Sequence, residues 1–387
     1  MTRTKVLGII AEYNPFHNGH LYHLNKSKEI YNPDYVIAVM SGNYVQRGEP
    51  AIINKFLRTR MAIENGIDLV IELPTVFAVT SAQYFATVAI NILKSTGIVT
   101  AISFGSETEN IEPLKKIADI KNKFNIKKEM SDGKSYPAAF FDFIKKNLSG
   151  YQKFLTPNNI LIIEYLSALS KINWHPEIIN IFRQYASHDQ KELNKNNISS
   201  GAAIRTALLN DLDISSFIPD NSLKFMPKNF ASIDNASNIF HYLITCKKIS
   251  PDSEGLHNRI IKVAQKNFLI TKIVTTSNSG RYTDSRIRRK ILRTILNLED
   301  KNITNSKPSY LRVLGFRKSS SSIFKLLAKN SQVPIITNIK NINKITNNKI
   351  VDAIKKEIEA TDMYFNFFSE QINFPSDYEY RQLIVII

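Results

Sequence analysis

The sequence predicts an α/β protein: a parallel sheet with helices on both faces, followed by a mostly helical, basic C-terminal part. Three observations carry this. Short β-branched apolar runs alternate with helix-patterned segments through the first 200 residues. From about residue 215 the pattern turns helical, with Ser/Asn-rich breaks at 276–280 and 319–322. The charge is also uneven, with a net +5 over residues 1–200 and +12 over 201–387. A chain of 387 residues suits two domains, expected at 1–215 and 216–387.

Val6–Tyr13 is a buried strand by its apolar, β-branched composition, and His20–Ile30 reads as a helix. Tyr35–Met40 is a second strand ending at Ser41-Gly42, Ile53–Asn65 is helical, and Asp68–Leu73 is a third strand closed by Pro74. Ser81–Lys94 is a helix and Val99–Phe104 a fourth strand ending at Gly105. No charge occurs between Glu72 and Lys94, but Thr80, Ser81, Gln83, Tyr84, Thr87 and Asn91 interrupt the run. A helix buried on the sheet is therefore expected there, and no membrane span. Asn158–Leu169 reads as a helix and Glu177–Arg183 as a strand; Ser199-Ser200-Gly201 caps a helix over Ala202–Leu209. Such sheets bind ligands beyond the carboxyl ends of their strands. The candidate site segments are thus Glu12–His20, Ser41–Pro50 and Gly105–Glu107.

Composition excludes several classes. One cysteine, Cys246, leaves no internal disulfide and no cysteine-built metal cluster, which fits a reducing compartment. The run Val6–Ala11 is too short for a secretion signal, so a cytoplasmic location is expected. Neither a Gly-x-Gly-x-x-Gly fingerprint nor a Gly-x-x-x-x-Gly-Lys phosphate loop is present. Residues 281–349 hold 16 basic and 3 acidic side chains, which suggests a polyanionic partner, nucleic acid before an anionic membrane. Arg281, Arg286, Arg288, Arg289, Lys290 and Arg293 concentrate that charge, and guanidinium suits phosphate. Ile287, Ile291 and Ile295 fall at helical spacing, so one face of this segment is apolar and the other cationic. The last stretch, 351–387, reverses to a net −4 and ends in Leu-Ile-Val-Ile-Ile, a strand or docking segment.

Glu12-Tyr-Asn-Pro-Phe-His17-Asn-Gly-His20 carries the chemistry. It follows the first strand and opens the first helix, where free N–H groups and the positive dipole end favour phosphate. Pro15 stiffens the turn and Gly19 admits a ligand close to the backbone. His17 and His20, three apart, share one helix face and can hydrogen-bond a phosphate under attack. A His-x-x-His zinc site is the competing reading, but no third ligand stands out and no metal site is expected.

His-x-Gly-His after a first strand resembles the signature of the nucleotidylyltransferases, which implies a Rossmann-like sheet. The longer strings are narrower: Ser41-Gly-Asn-Tyr-Val-Gln-Arg-Gly-Glu-Pro-Ala51, Asp68-Leu-Val-Ile-Glu-Leu-Pro74, Phe104-Gly-Ser-Glu107, Ser135-Tyr-Pro137, Pro157-Asn-Asn-Ile-Leu161 and Tyr310-Leu-Arg-Val-Leu-Gly315. Together, from about residue 5 to 340, they resemble the tRNA(Met) cytidine acetate ligase family. The resemblance implies formation of N4-acetylcytidine at the wobble base of elongator tRNA(Met) from acetate and ATP. Acetate attacks the α-phosphate, giving acetyl-adenylate and pyrophosphate, and the cytidine amine takes the acetyl group.

The family's ATP-binding stretch falls on Ile10, Ala11, Glu12, Tyr13, Asn14, Pro15, Phe16, His17, Asn18, Gly19, His20, Leu21, Tyr22 and His23, with Gly105, Asn158 and Arg183 further on. His17 and His20 are the implied catalytic pair. Lys55 and Arg58, after the Gln-Arg-Gly-Glu-Pro loop, and Ser200 and Arg205 are candidate phosphate contacts. Gln46 and Arg47 face acetate or tRNA in this reading. Mg²⁺ is implied by ATP chemistry. The Ser/Thr-rich turn usual before Ile-Arg reads Ser199-Ser-Gly-Ala-Ala-Ile-Arg205 here, so Ala202 and Ala203 replace hydroxyl residues. The arginines of 281–293 are the implied tRNA contacts, and charge removal at Arg288 and Arg289 is expected to weaken tRNA binding and flatten its salt dependence. Two other readings remain open at this point: a small-molecule adenylyltransferase, of nicotinate-nucleotide or pantetheine-phosphate type, and an inactive RNA binder. Oligomeric state is not legible.

Overall fold

The computed structural model describes residues 4–125, 129, 135–183, 193, 197–247, 249, 251–252, 255–298, 307–369 and 376–387. The strands are β1 (Val6–Ala11), β2 (Tyr35–Ser41), β3 (Tyr44–Val45), β4 (Glu49–Pro50), β5 (Leu69–Leu73), β6 (Ala101–Ser106), β7 (Glu177–Phe182), β8 (Leu311–Phe316), β9 (Ile335–Ile336) and β10 (Val385–Ile386). The helices are α1 (Asn18–Tyr31), α2 (Lys55–Glu64), α3 (Thr75–Ala78), α4 (Ala82–Ser95), α5 (Glu112–Lys121), α6 (Tyr136–Asn147), α7 (Pro157–Lys171), α8 (Gly201–Leu209), α9 (Asp220–Leu223), α10 (Ser237–Thr245), α11 (Leu256–Ala264), α12 (Ile270–Ser277), α13 (Asp284–Ile295), α14 (Ile323–Asn330), α15 (Asn348–Tyr364) and α16 (Tyr378–Arg381).

The main sheet runs β10-β8-β5-β2-β1-β6-β7, with β9 on the far end of β8. From β5 to β7 every neighbour pair is parallel. The order reverses between β1 and β6, so a crevice opens beyond their carboxyl ends. Alternation along the strands sorts the core. Ile37 and Val39 of β2 pack with α4 and α7 on one face; Val36, Ala38 and Met40 pack with α1, α2 and α8 on the other. The uncharged run is α4, with Phe85, Ala86, Val88, Ala89, Ile90, Ile92 and Leu93 buried against the sheet. Among the described residues no helix is long and apolar enough to cross a membrane.

The expected elements are present, with two differences. The first strand stops at Ala11 and not Tyr13, because Tyr13 takes a left-handed backbone (φ 46) that leaves the sheet. The expected division at 215 separates segments that the sheet joins. The described residues of 220–298 are mostly helical around a core that includes Ile287, Ile291 and Ile295 and is shared with Tyr44, Val79, Tyr364 and Phe367. The chain then returns as β8, antiparallel to β5, and the terminal apolar run supplies β10 beside β8.

Candidate active site

The cavity at this crevice has a volume of about 550 Å³. Its floor is the β1–α1 segment. His17 is the N-cap of α1: its Nδ1 accepts the Gly19 N–H at 3.1 Å, and His20 Nδ1 accepts the His17 N–H at 3.3 Å. This reciprocal cap stacks the two rings with centroids 3.8 Å apart. It also fixes their tautomer. With both Nδ1 atoms accepting, each neutral ring carries its proton on Nε2, which becomes a hydrogen-bond donor. His23, one turn on, pairs through Nε2 with Ser103 Oγ of β6 at 2.9 Å.

Strand and helix ends close the rest. Gly105 of β6 and Arg183, just past β7, line the cavity together; a Cβ on Gly105 would meet Arg183 Cδ at 3.2 Å. Asn158 opens α7 and donates to the Glu107 carboxylate, while Asn159 Oδ1 accepts the Glu107 N–H at 2.9 Å. Ser200 caps α8 by accepting the Ala203 N–H at 3.1 Å. A Cβ on Gly201 would lie 3.6 Å from His17 Nε2 and 3.2 Å from Arg205 Nη1, so the α8 N-terminus and Arg205 face the histidines. Arg205 also donates to the Asn14 carbonyl at 2.9 Å. The N-termini of α1, α7 and α8 thus converge on one cavity, each with its positive dipole end inward. Ala202 lines the cavity as well.

The field is strongly positive. Burial, then Arg183 and Arg205, push His17 down to about 3. Burial and Arg183 push His23 down to about 4. Burial, His17 and Arg183 hold His20 well below the usual imidazole range. The three rings are neutral donors at pH 7, beside two guanidinium groups that burial also holds below their usual range. The cavity lining includes one carboxylate, Glu12, whose Oε1 accepts the Gln46 N–H at 2.8 Å. Asn14 Oδ1 accepts the Ile52 N–H at 2.7 Å, and its buried Nδ2 has no hydrogen-bond partner among the described residues. This arrangement of donors and cations suits an anion. One consequence is measurable without any ligand. The folded histidines bind protons more weakly than the unfolded chain, so their contribution to stability is present above about pH 6.5 and is lost as pH falls toward 4 and below. The urea midpoint is expected to decline over that window, and His23→Asn to shallow the decline; an unchanged pH profile in that variant would contradict the assignment.

Several sequence-based candidates lie elsewhere. Lys55 is fully buried, with its Nζ held by Glu72 at 2.7 Å and by Glu379, and does not line the cavity. Arg58 is also fully buried and donates to the carbonyls of Ile53, Glu12, Ser41 and Gly42. It staples the ends of β1 and β2 and does not line the cavity. Both sit on the inner face of α2, a direction that residue type alone does not reveal. On α13, Arg293 is buried and donates to the Val76 carbonyl at 3.2 Å, while Arg288 and Arg289 bond the β3–β4 turn. Arg281 is exposed, and Arg286 and Lys290 are partly so. Tyr282 and Tyr310 are core residues. The residues missed by sequence reasoning are the apolar wall of the cavity, Phe85, Phe104 and Tyr165. Phe104 precedes Gly105 at a strand end and could have been found; the other two come from helix interiors without a local signal.

A sequence model of the HIGH Nucleotidyl Transferase family matches residues 4–378. A tRNA(Met) cytidine acetate ligase from Thermoanaerobacter sp. (strain X514) is 40% identical over 383 residues, covering 93% of this chain and 94% of that protein. This chain belongs to the tRNA(Met) cytidine acetate ligase family. A second member of that family, from Thermosipho africanus, is 35% identical over 99% of both chains. Crystal structures of Thermotoga maritima TmcAL agree. The apo form superposes with a TM-score of 0.91 at 31% identity, and the form bound with alpha-thio ATP with 0.88 at 30%, each covering 99% of this chain and 100% of the other. The expected fold and the expected enzyme class, a ligase, both stand. Among the described residues no group of three or more His, Cys, Asp or Glu is placed to hold a metal ion.

Proposed function

We propose that this chain uses ATP to join acetate to the N4 amine of the wobble cytidine of elongator tRNA(Met), by way of acetyl-adenylate. An acetate oxygen attacks the α-phosphorus as the bond to the β-phosphate oxygen breaks, and pyrophosphate leaves. The cytidine amine then attacks the acetyl carbonyl carbon, AMP departs with the bridging oxygen, and the amine loses a proton to solvent. The observation that carries this reading is the convergence of α1, α7 and α8 with two Nε2–H donors, Arg183 and Arg205 on one cavity. Adenylyl transfer needs positioning and neutralisation of charge more than a protein nucleophile. His17 and His20 donate to the phosphate oxygens as negative charge grows, and as neutral rings they need no proton release at pH 7. Asn14 Nδ2 is a spare donor for an oxygen of acetate or phosphate. Phe104 and Tyr165 offer an apolar wall to the adenine or the acetyl methyl group.

Mg²⁺ suits this cavity as a companion of the triphosphate. Its protein ligand would be Glu12, the rest being phosphate oxygens and water, as Mg²⁺ prefers; bound there it would neutralise phosphate charge. The basic segment 281–349 supports a tRNA partner, with exposed Arg281 and the partly exposed Arg286 and Lys290 toward phosphate, and a cytoplasmic location follows from that partner. The test is pyrophosphate release from ATP in the absence of RNA. Release that requires acetate is expected; release that proceeds equally without acetate would remove the acetyl-adenylate step.

A further inference from the structure

Helix α13 carries the densest cluster of arginines in the chain, yet Arg288, Arg289 and Arg293 bond the protein itself, the first two through one turn. Arg288 Nε donates to the Arg47 carbonyl at 3.2 Å and lies 3.2 Å from Glu49 Oε1. Arg289 Nη1 donates to the Gln46 carbonyl at 3.1 Å. The turn they grip, Gln46–Glu49, joins β3 to β4 and is seated on the helix backbone. Gly48 has a φ of +79°, and a Cβ there would come within 2.4 Å of the Arg289 nitrogen. The far side of the turn belongs to the cavity. Gln46 and Arg47 line it, as does Ser285 of α13. Gln46 donates its N–H to Glu12 at 2.8 Å and its side-chain amide to the Thr80 carbonyl at 3.3 Å. Glu12 follows β1 directly and its carbonyl is held by Arg58. A continuous set of contacts therefore runs from α13 through the turn to the carboxylate at the mouth of β1.

We propose that Arg288 and Arg289 are positioning residues, which hold the Gln46–Glu49 turn against the nucleotide cavity, so that the basic helix is part of the machinery for the ATP-dependent step and not solely a tRNA contact. The inference rests on the reading of the cavity as the site of ATP use. Burial and three neighbouring guanidinium groups, Arg286, Arg288 and Arg293, push Arg289 down to about 10. A cation held there among like charges is suited to gripping carbonyls from an adjacent turn, and a glycine with positive φ lets that turn come close enough.

The experiment measures acetate-dependent pyrophosphate release without RNA, and separately tRNA affinity across a salt series, for the full-length protein, Arg289→Ala, Arg288→Ala and Gly48→Ala. Gly48→Ala removes no charge and disturbs the same contact from the other side. The expected result is a fall of about tenfold to a hundredfold in RNA-independent pyrophosphate release, carried by kcat and not by KM for ATP, in all three variants. In Gly48→Ala the salt slope of tRNA affinity is unchanged. Full pyrophosphate release in Arg288→Ala and Arg289→Ala, with weakened tRNA binding and a shallower salt slope, would make both arginines phosphate contacts and overturn the proposal. Should Gly48→Ala fail to fold, the two arginine variants decide the matter alone. Unmodified protein that releases no acetate-dependent pyrophosphate would instead sink the underlying reading of the cavity, and the inference with it.

Discussion

His20→Gln is expected to lower ATP-dependent acetylation by a hundredfold to a thousandfold, roughly the effect of removing one donor to a developing oxyanion. tRNA affinity should stay within about twofold. The choice of glutamine matters. His20 occupies the third position of α1, and its Nδ1 accepts the His17 N–H to complete the reciprocal cap. Glutamine is a residue that closes this cap in other helices, so the variant keeps the helix start while removing the Nε2–H. His20→Ala removes both, and its additional loss of thermal stability should report the cap by itself. Single-turnover kinetics with and without tRNA separates the two effects. Equal loss of tRNA affinity in His20→Gln would count against separate roles for the α1 segment and the basic segment.

Lys55→Met should destabilise the fold by about 3–5 kcal/mol and leave the affinity of any surviving folded protein for ATP close to normal. Lys55 is a fully buried cation between Glu72 of β5 and Glu379 of α16. Thr361 of α15 also donates to Glu379 at 2.6 Å, and Arg312 of β8 lies 3.7 Å from it. Removal of the lysine leaves two carboxylates in the interior without their cation. The cluster ties the parallel sheet to the elements that return from the C-terminal half, so the expected loss is cooperative. Urea titration measures it. An unchanged urea midpoint with a raised KM for ATP would restore Lys55 to the phosphate site that its position after the Gln-Arg-Gly-Glu-Pro loop suggests.

The contrast between His20 and Lys55 shows what was legible in advance. Strands β1, β2, β5, β6 and β7 announce themselves through apolar runs between turn residues, and they place the ligand crevice before any coordinate is known. His17, His20, Gly105 and Arg183 line the cavity because they sit at ends of those strands or at the helix start that follows. Lys55, Arg58 and Arg293 are misplaced by the same reasoning because charge type does not fix direction: each lies on the buried side of its helix. β8 is hidden for a related reason. Its apolar run is interrupted by Arg312, which is buried, so a strand inside the sheet reads as part of a basic surface. Strands β3, β4 and β9 are two residues each, too short for periodicity to register. β5 and β8 pair across the division expected at 215, and such long-range pairing is not encoded in local patterns.

The measurement that tests the central claim most directly is incubation of the purified protein with radiolabelled acetate, ATP, Mg²⁺ and bacterial tRNA, followed by nucleoside analysis of the recovered tRNA. Label confined to N4-acetylcytidine, dependent on ATP and absent with His20→Gln, is the predicted result. Unlabelled tRNA from a folded protein that binds ATP would contradict the account and return the cavity to a small-molecule adenylyltransferase or an inactive RNA binder.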